Sequence, residues 1–146
     1  MNSSDPHPDA EQRRGPLLEL LGMHATTVES GHVCVHYTVG ANHLRTQGIA
    51  HGGVIATLMD TSLGLAAATK APAGLDVVTA QINVNFIRPV WEGERLKANA
   101  QVQHAGRKTA VVTGEIRTEA GSLVATGSAT LVYIPTPDLS KTDDVR

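Results

Sequence analysis

Cysteine, aromatic residues and long apolar runs are all scarce in this chain of 146 residues. Cys34 is the only cysteine, so no intrachain disulfide can form, which suits a reducing compartment. Only 3% of the residues are aromatic and the net charge is -2, which argues against nucleic-acid binding. No stretch is apolar enough to span a membrane, and the polar N-terminus resembles no secretory signal. We therefore expect a cytoplasmic protein that binds neither nucleic acid nor membrane.

Two common catalytic signatures are also missing. The seven histidines are dispersed without the spacing of metal ligands, so no metal site is expected. The chain has no Gly-x-Ser-x-Gly motif, which argues against a serine hydrolase.

One folded domain is predicted over residues 15–135, between polar tails at 1–14 and 136–146 that we expect to be disordered. The apolar pattern predicts a short helix at 15–22, a long helix from about Gly52 to Ala68, and several strands with period-two alternation. Because no β-α-β-α rhythm is present, the strands are expected to form an antiparallel sheet wrapped around the long helix, an α+β fold.

The strand after the long helix is predicted to alternate regularly. Its apolar face is Val78, Ala80, Ile82, Val84 and Phe86. Thr79 falls on the opposite, polar face of this strand.

A single carboxylate interrupts the long helix. Residues 52–69 read GGVIATLMDTSLGLAAAT, and Asp60 is the only ionisable residue among them. A helix this apolar is expected to be buried, where a carboxylate is costly unless it is hydrogen-bonded or takes part in chemistry. Asp60 is therefore the first candidate for catalysis, the alternative being a structural carboxylate bonded to a neighbouring chain.

The helix has two different sides. One is broadly apolar, with Val54, Ile55, Leu58, Met59, Ser62, Leu65 and Ala66. The other surrounds Asp60 with small residues: Gly53, Ala56, Thr57, Gly64 and Ala67. Small residues let another backbone or a ligand come close, so Asp60 is predicted to face a partner element or a ligand.

The start of the helix, His51-Gly52-Gly53, offers backbone N–H groups that have no partner within the helix. Together with the helix dipole they make a candidate oxyanion hole, although the glycines would also suit tight packing alone. Gly53 and Asp60 are seven residues apart, or roughly 10 Å along a helix. One ester or thioester carbon cannot reach both, so we predict two antiparallel helices across a two-fold axis and an active site shared between protomers.

These residues resemble those of the hotdog-fold acyl-CoA thioesterases, and most closely the PaaI-like branch. That pattern is His-Gly-Gly, six residues, then Asp, which is the spacing from His51 to Asp60. The resemblance extends from about Leu17 to Pro135. It implies hydrolysis of an acyl-CoA thioester to a free acid and coenzyme A, without a cofactor because coenzyme A is part of the substrate. It also implies a homodimer with one continuous sheet, often paired into a tetramer.

The resemblance assigns roles to site residues. Asp60 matches the general base or nucleophile, and Gly52, with Gly53 as a second candidate, matches the donor to the thioester carbonyl. His51 matches a histidine that orients that carbonyl or the loop, and Thr79 falls where relatives position the water.

Other positions are assigned less directly. Many relatives have Asn six residues before the motif histidine, where this chain has Arg45, so Asn42 and Gln47 are the candidate polar partners. Arg88 and the segment Gly106, Arg107 and Lys108 are candidates for binding the phosphates of coenzyme A, as is Arg45. The alternative for Arg107 and Lys108 is a solvated strand end.

Two other functions stay open at this point: an acyl-CoA hydratase or dehydratase of the same fold, and a non-catalytic acyl-CoA-binding protein. The acyl group is also open. Ala56, Gly64 and Ala67 leave room for a bulky group, whereas Met59 and Leu63 would narrow the space.

Overall fold

A computed structural model describes residues 15–138, so the predicted tail at 1–14 and residues 139–146 lie outside the described part. The elements run in the order α1 (Pro16–Leu21), β1 (His24–Glu29), β2 (His32–Thr38), α2 (Gly52–Ala68), β3 (Leu75–Phe86), β4 (Arg95–Ala105), β5 (Thr109–Thr118) and β6 (Leu123–Pro135). Two 3-10 turns, Ala41–His43 and Thr46–Gly48, interrupt the loop before α2. No helix in the described part is long and apolar enough to cross a membrane.

The strands form one six-stranded sheet in the order β1-β2-β4-β5-β6-β3. Every neighbouring pair is antiparallel. Helix α2 lies across one face and packs against β2, β3, β4, β5 and β6. The predicted antiparallel sheet wrapped around one helix is therefore confirmed, and β1 and β3 are its two edges.

Helix α2 begins and ends where the sequence predicts, at Gly52 and Ala68. The division into two sides is wrong at two positions. Ala67 is fully buried instead of lying beside Asp60, and Leu65 is half-buried on the side of Asp60 instead of in the core. Met59 and Leu63 are also fully buried in the core, so neither narrows a ligand site on the other side. The core takes these residues because five strands, β2 to β6, pack against α2.

Two glycines in the sheet allow helix α2 to pack closely against it. Gly114 of β5 lies opposite Gly127 of β6 in the register, and both face Met59. A Cβ on Gly127 would be 2.8 Å from Met59 Cγ and 3.0 Å from the carbonyl oxygen of Asn83. On Gly114 it would be 3.2 Å from Met59 Sδ. Glycine inside a strand often marks such a close approach, and here it fixes the height of α2 above the sheet.

Strand β3 is not regular, because a β-bulge interrupts its pairing with β6. Thr79 pairs with Leu131 and Gln81 with Thr130, which leaves Ala80 as an extra residue. The predicted apolar face is therefore wrong at Val78 and Ala80, which are exposed. The extra residue shifts the alternation by one, so that Thr79 shares the helix-facing side with later residues of β3, Ile82 and Val84.

The close contact between Gly127 and Met59 gives a direct test of stability. Gly127→Ala is expected to lower the free energy of unfolding by about 1–3 kcal/mol, because the new methyl group displaces Met59 or the backbone. Urea unfolding at one fixed protein concentration measures this. Gly64→Ala is the matched control, since a Cβ there would meet only Leu131 Cδ2 at 3.9 Å. An unchanged midpoint for Gly127→Ala would contradict the packing described.

Candidate active site

Asp60 is half-buried in the middle of α2 and faces β3. Its Oδ1 accepts a 2.8 Å hydrogen bond from Thr79 Oγ1. The bulge at Ala80 makes this contact possible, because regular alternation with Ile82 would turn Thr79 to the other side of the sheet. The threonine holds the carboxylate in one orientation, and it is the only neighbour in residues 15–138 with a recorded hydrogen bond to that side chain.

A groove of about 300 Å³ opens beside this pair. It continues from Asp60 toward the C-terminal end of α2, between the helix, β3, β6 and α1. Its lining is mostly aliphatic and small, with two carboxylates: Leu18, Asp60, Thr61, Gly64, Leu65, Asp76, Val77, Thr79 and Leu131.

The start of α2 is built around His51. As the N-cap residue, His51 accepts a 2.8 Å hydrogen bond from the Gly53 N–H through its Nδ1. Accepting at Nδ1 places the proton of the neutral ring on Nε2. A Cβ on Gly53 would be 2.9 Å from Nδ1, so glycine is needed for the ring to lie there.

The hydrogen bond from Gly53 to His51 means that the backbone N–H groups of Gly52 and Gly53 have different roles. The Gly53 N–H is already used by His51, whereas no acceptor for the Gly52 N–H is recorded within residues 15–138. Of the two candidate donors, Gly52 is thus the one left to bind a carbonyl oxygen. The Phe86 ring flanks it, 3.7 Å from where a Cβ on Gly52 would be.

The loop before α2 is held by a tyrosine and a histidine that the sequence analysis did not identify. The hydroxyl of buried Tyr37 lies 2.6 Å from His43 Nδ1, which also accepts the Gly40 N–H. The His43 carbonyl in turn accepts the His51 N–H at 2.8 Å. Burial raises the pKa of Tyr37 to about 12, so its hydroxyl stays protonated and keeps donating near neutral pH. No local pattern pairs Tyr37 with His43, because the contact depends on how the loop folds.

The polar residues considered as partners of the site lie on this same loop. Asn42, Arg45 and Gln47 are all exposed, and within the described residues none of their side chains has a recorded hydrogen bond to Asp60 or His51. Gln47 has a left-handed backbone, with φ 72°, which is uncommon for a residue other than glycine. Their part in the site stays a prediction.

Within one protomer the carboxylate and the carbonyl donor are far apart. Asp60 is eight residues beyond Gly52 on a continuous helix, which corresponds to about 12 Å. No single carbonyl carbon of a substrate can be within reach of both groups of the same chain.

The basic candidates are separated as well. The Arg88 N–H bonds to the carbonyl of Val124, whereas the Lys108 carbonyl accepts the Tyr133 N–H. Val124 and Tyr133 are nine residues apart on β6, or roughly 30 Å. Arg88 thus lies at one end of the sheet, and Gly106, Arg107 and Lys108 lie at the other.

Comparison with known proteins identifies the family. The model of the thioesterase superfamily matches residues 47–125, which include α2, β3 and most of the site. This chain belongs to the thioesterase superfamily. It is 33% identical over 105 residues to the acyl-coenzyme A thioesterase PaaI of Escherichia coli, covering 72% of this chain and 73% of that one.

Solved structures agree with this membership. The PaaI protein of the Escherichia coli phenylacetic acid degradation operon superposes with a TM-score of 0.80 at 29% identity, covering 87% of this chain and 90% of that one. A hypothetical thioesterase protein of Streptococcus pneumoniae, solved with coenzyme A, superposes with a TM-score of 0.72 at 28% identity, covering 80% of this chain and 88% of that one. The predicted hotdog fold and the assignment as a thioester hydrolase are therefore confirmed.

The Gly52 donor can be removed without disturbing the helix. Proline is well tolerated at the first helical position, and the extended backbone of His51 (φ -63°, ψ 134°) suits a residue before proline. Gly52→Pro is expected to lower kcat for thioester hydrolysis by about 10²–10³-fold, with an unchanged circular dichroism spectrum.

The matched control is Gly52→Ala, which keeps the N–H and adds a methyl group at ordinary contact distance from Phe86. It is expected to retain most of the activity. Equal losses in the two variants would show that the backbone donor does not matter.

Proposed function

We propose that this thioesterase hydrolyses acyl-CoA thioesters in a site completed by two protomers, with Asp60 and Thr79 from one and Gly52 from the other. The observation that carries the proposal is the carboxylate of Asp60, which Thr79 holds at the edge of a groove lined in part by aliphatic side chains. The likeness to an acyl-coenzyme A thioesterase, and to a thioesterase solved with coenzyme A, supports this class of substrate.

The chemistry follows from the roles of these groups. The Gly52 N–H, aided by the dipole of α2, binds the thioester carbonyl and stabilises the oxyanion of the tetrahedral intermediate. Asp60 takes a proton from the attacking water, and Thr79 keeps the carboxylate aimed at it. Collapse of the intermediate breaks the carbon–sulfur bond, and the thiolate of coenzyme A leaves and is protonated.

A direct attack by Asp60 on the carbonyl is the alternative first step, which would give an acyl anhydride. Single turnover in oxygen-18 water distinguishes the two, because only the anhydride route leaves label in Asp60. Neither route needs a metal or a further cofactor.

The outer edge of β3, which pairs with no strand within residues 15–138, supports the dimer. The strand has 12 residues and only one charged side chain, Asp76, although long edge strands normally carry several charges or a proline that prevent pairing. Val78, Phe86 and Ile87 are between 44% and 57% exposed along or just beyond it. Pairing of two β3 strands about a two-fold axis would cover them and join the sheets.

The same pairing would bring together groups that one protomer keeps apart. Helix α2 is antiparallel to β3, with Gly52 near Phe86 and Asp60 bonded to Thr79. In an antiparallel dimer the Gly52 end of one helix therefore approaches the Asp60 region of the other. Arg88 of one protomer likewise approaches the partner's turn at 106–108, where both could bind phosphates of coenzyme A. A tetramer and a cytoplasmic location remain predictions.

Release of free thiol tests the function. The wild-type protein is expected to hydrolyse members of a panel of short, medium and aromatic acyl-CoA thioesters, including phenylacetyl-CoA. Asp60→Asn should lower kcat by about 10²–10⁴-fold because the carboxamide cannot accept the proton. Glu29→Gln, an exposed carboxylate on β1, is the control and should match the wild type.

The outcomes separate the competing functions. Hydration of crotonyl-CoA without thiol release would favour the hydratase, and binding without turnover of any substrate would favour the acyl-CoA-binding protein. Full activity of Asp60→Asn would refute the proposed mechanism while leaving the reaction itself in place.

A further inference from the structure

Four basic side chains form a row across four neighbouring strands of the sheet. In the register, His24 of β1 lies opposite His36 of β2, which in turn lies opposite Lys97 of β4. Lys97 lies opposite Arg117 of β5. The row is on the face away from α2, because the residues beside it along the strands belong to the core or pack against it: Ala25, Tyr37, Leu96 and Ile116. Like charges directly opposite each other destabilise a sheet, so this row is unfavourable for folding alone.

Only one member of the row has an acidic partner. The Arg117 guanidinium binds both carboxylate oxygens of Glu115, at 2.7 and 3.1 Å. His24, His36 and Lys97 form no ion pair in the part of the chain that the structure describes. The two histidine rings stack on each other instead, with their centroids 5.9 Å apart. The basic groups on β1, β2 and β4 are therefore left without a counter-charge of their own.

The surroundings of His36 disfavour its protonated form. Burial lowers its pKa, and Lys97 and His24 lower it further, against an opposing effect of Glu119. An anion bound beside the ring would act in the opposite direction, because a nearby negative charge favours the imidazolium.

A cavity of about 280 Å³ lies over the same row. This volume is at the lower end of the range for ligand pockets, which suits a small molecule or a single charged group. Apart from the core residues Tyr37 and Leu96, the lining is polar and mostly basic: His24, His36, Thr38, Arg95, Lys97 and Glu119. Glu119 is the one acidic residue of this lining, and its carboxylate lies 3.8 Å from the Arg95 guanidinium. Its charge is thus offset by Arg95.

The chemistry of the lining suits an anion better than a metal ion. Within residues 15–138, no group of three or more histidine, cysteine or acidic side chains could hold a metal. The Lys97 ammonium would also repel a cation. Imidazole, ammonium, guanidinium and hydroxyl groups all donate hydrogen bonds. A phosphate group has several strong acceptor oxygens and the negative charge that such donors bind best.

We propose that the cavity over His24, His36 and Lys97 binds a phosphate group. Thr38 and Arg95 form a pair on the same face, two residues further along their strands, and supply additional donors. The sheet order places β1 and β2 at the edge opposite β3, and the row is on the face away from α2. The site is therefore separate from the site proposed for thioester hydrolysis, and binding to it does not depend on that activity.

Calorimetric titration with inorganic phosphate, at an ionic strength held constant with sodium chloride, tests the inference. The wild-type protein should bind phosphate, and His36→Gln and Lys97→Gln should each weaken binding about tenfold or more, because each removes a charged donor. His32→Gln is the matched control, since His32 is on the same strand and face but outside the cavity. No binding by the wild type, or an equal loss in His32→Gln, would overturn the inference.

Two further ligands sharpen this test. Glycerol 3-phosphate offers the same oxygens on a phosphate monoester, so its affinity relative to inorganic phosphate distinguishes a free anion from a phosphorylated molecule. Sulfate keeps its charge near neutral pH and should bind more tightly at about pH 6 than at about pH 8, because the histidines become protonated. This difference should disappear when His24→Gln and His36→Gln are combined. A wild-type affinity for sulfate that is the same at both pH values would contradict the assignment.

Thermal unfolding separates a binding site from a structural role of Lys97. Phosphate should raise the melting temperature of the wild type above its value in sodium chloride of the same ionic strength, because a ligand of the folded state stabilises it. Lys97→Gln should lose this increase, whereas Asp60→Asn should keep it. An increase in Lys97→Gln as large as in the wild type would refute the site, whatever its melting temperature in chloride.

Discussion

The constraint on which the site depends is the rigid rise of helix α2. Its first N–H and its single carboxylate are fixed about 12 Å apart by eight residues of continuous helix. No side-chain motion brings them together, because one of the two groups is backbone. In the proposed mechanism, a carbonyl polarised by Gly52 therefore needs an acid or base from elsewhere. The nearly uncharged edge of β3, which pairs with no further strand within residues 15–138, is the proposed route by which a second copy supplies it.

The remaining features serve to place that helix and its carboxylate. Met59 fits against Gly114 and Gly127, which sets the depth of α2 in the sheet. The bulge at Ala80 then turns Thr79 toward Asp60. At the other end, His51 caps the helix through Gly53 and is tied through the His43 carbonyl to the Tyr37 hydrogen bond. Together these contacts place Asp60 and Gly52, the proposed functional groups, on a rigid helix.

Local signals in the sequence were enough to predict the helix and the type of sheet. The limits of α2 follow from a cap residue and an unbroken apolar run, and the alternation in β4 to β6 follows from one buried face. The bulge at Ala80 was not predictable in this way, since one extra residue leaves the local pattern almost unchanged. The contact between Tyr37 and His43 and the separation of Arg88 from the 106–108 turn depend on topology. The glycines opposite Met59 did carry a signal, because glycine is unfavourable inside strands unless something approaches closely.

The shared site is tested most directly by mixing two variants that are each inactive, Asp60→Asn and Gly52→Pro. Unfolding them together in equal amounts and refolding would produce hybrid dimers in about half of the cases. Each hybrid would contain one site with an intact Asp60 from one chain and an intact Gly52 from the other. A site shared between protomers predicts recovery of about a quarter of wild-type thioesterase activity. Activity no greater than that of the two variants refolded separately would contradict it.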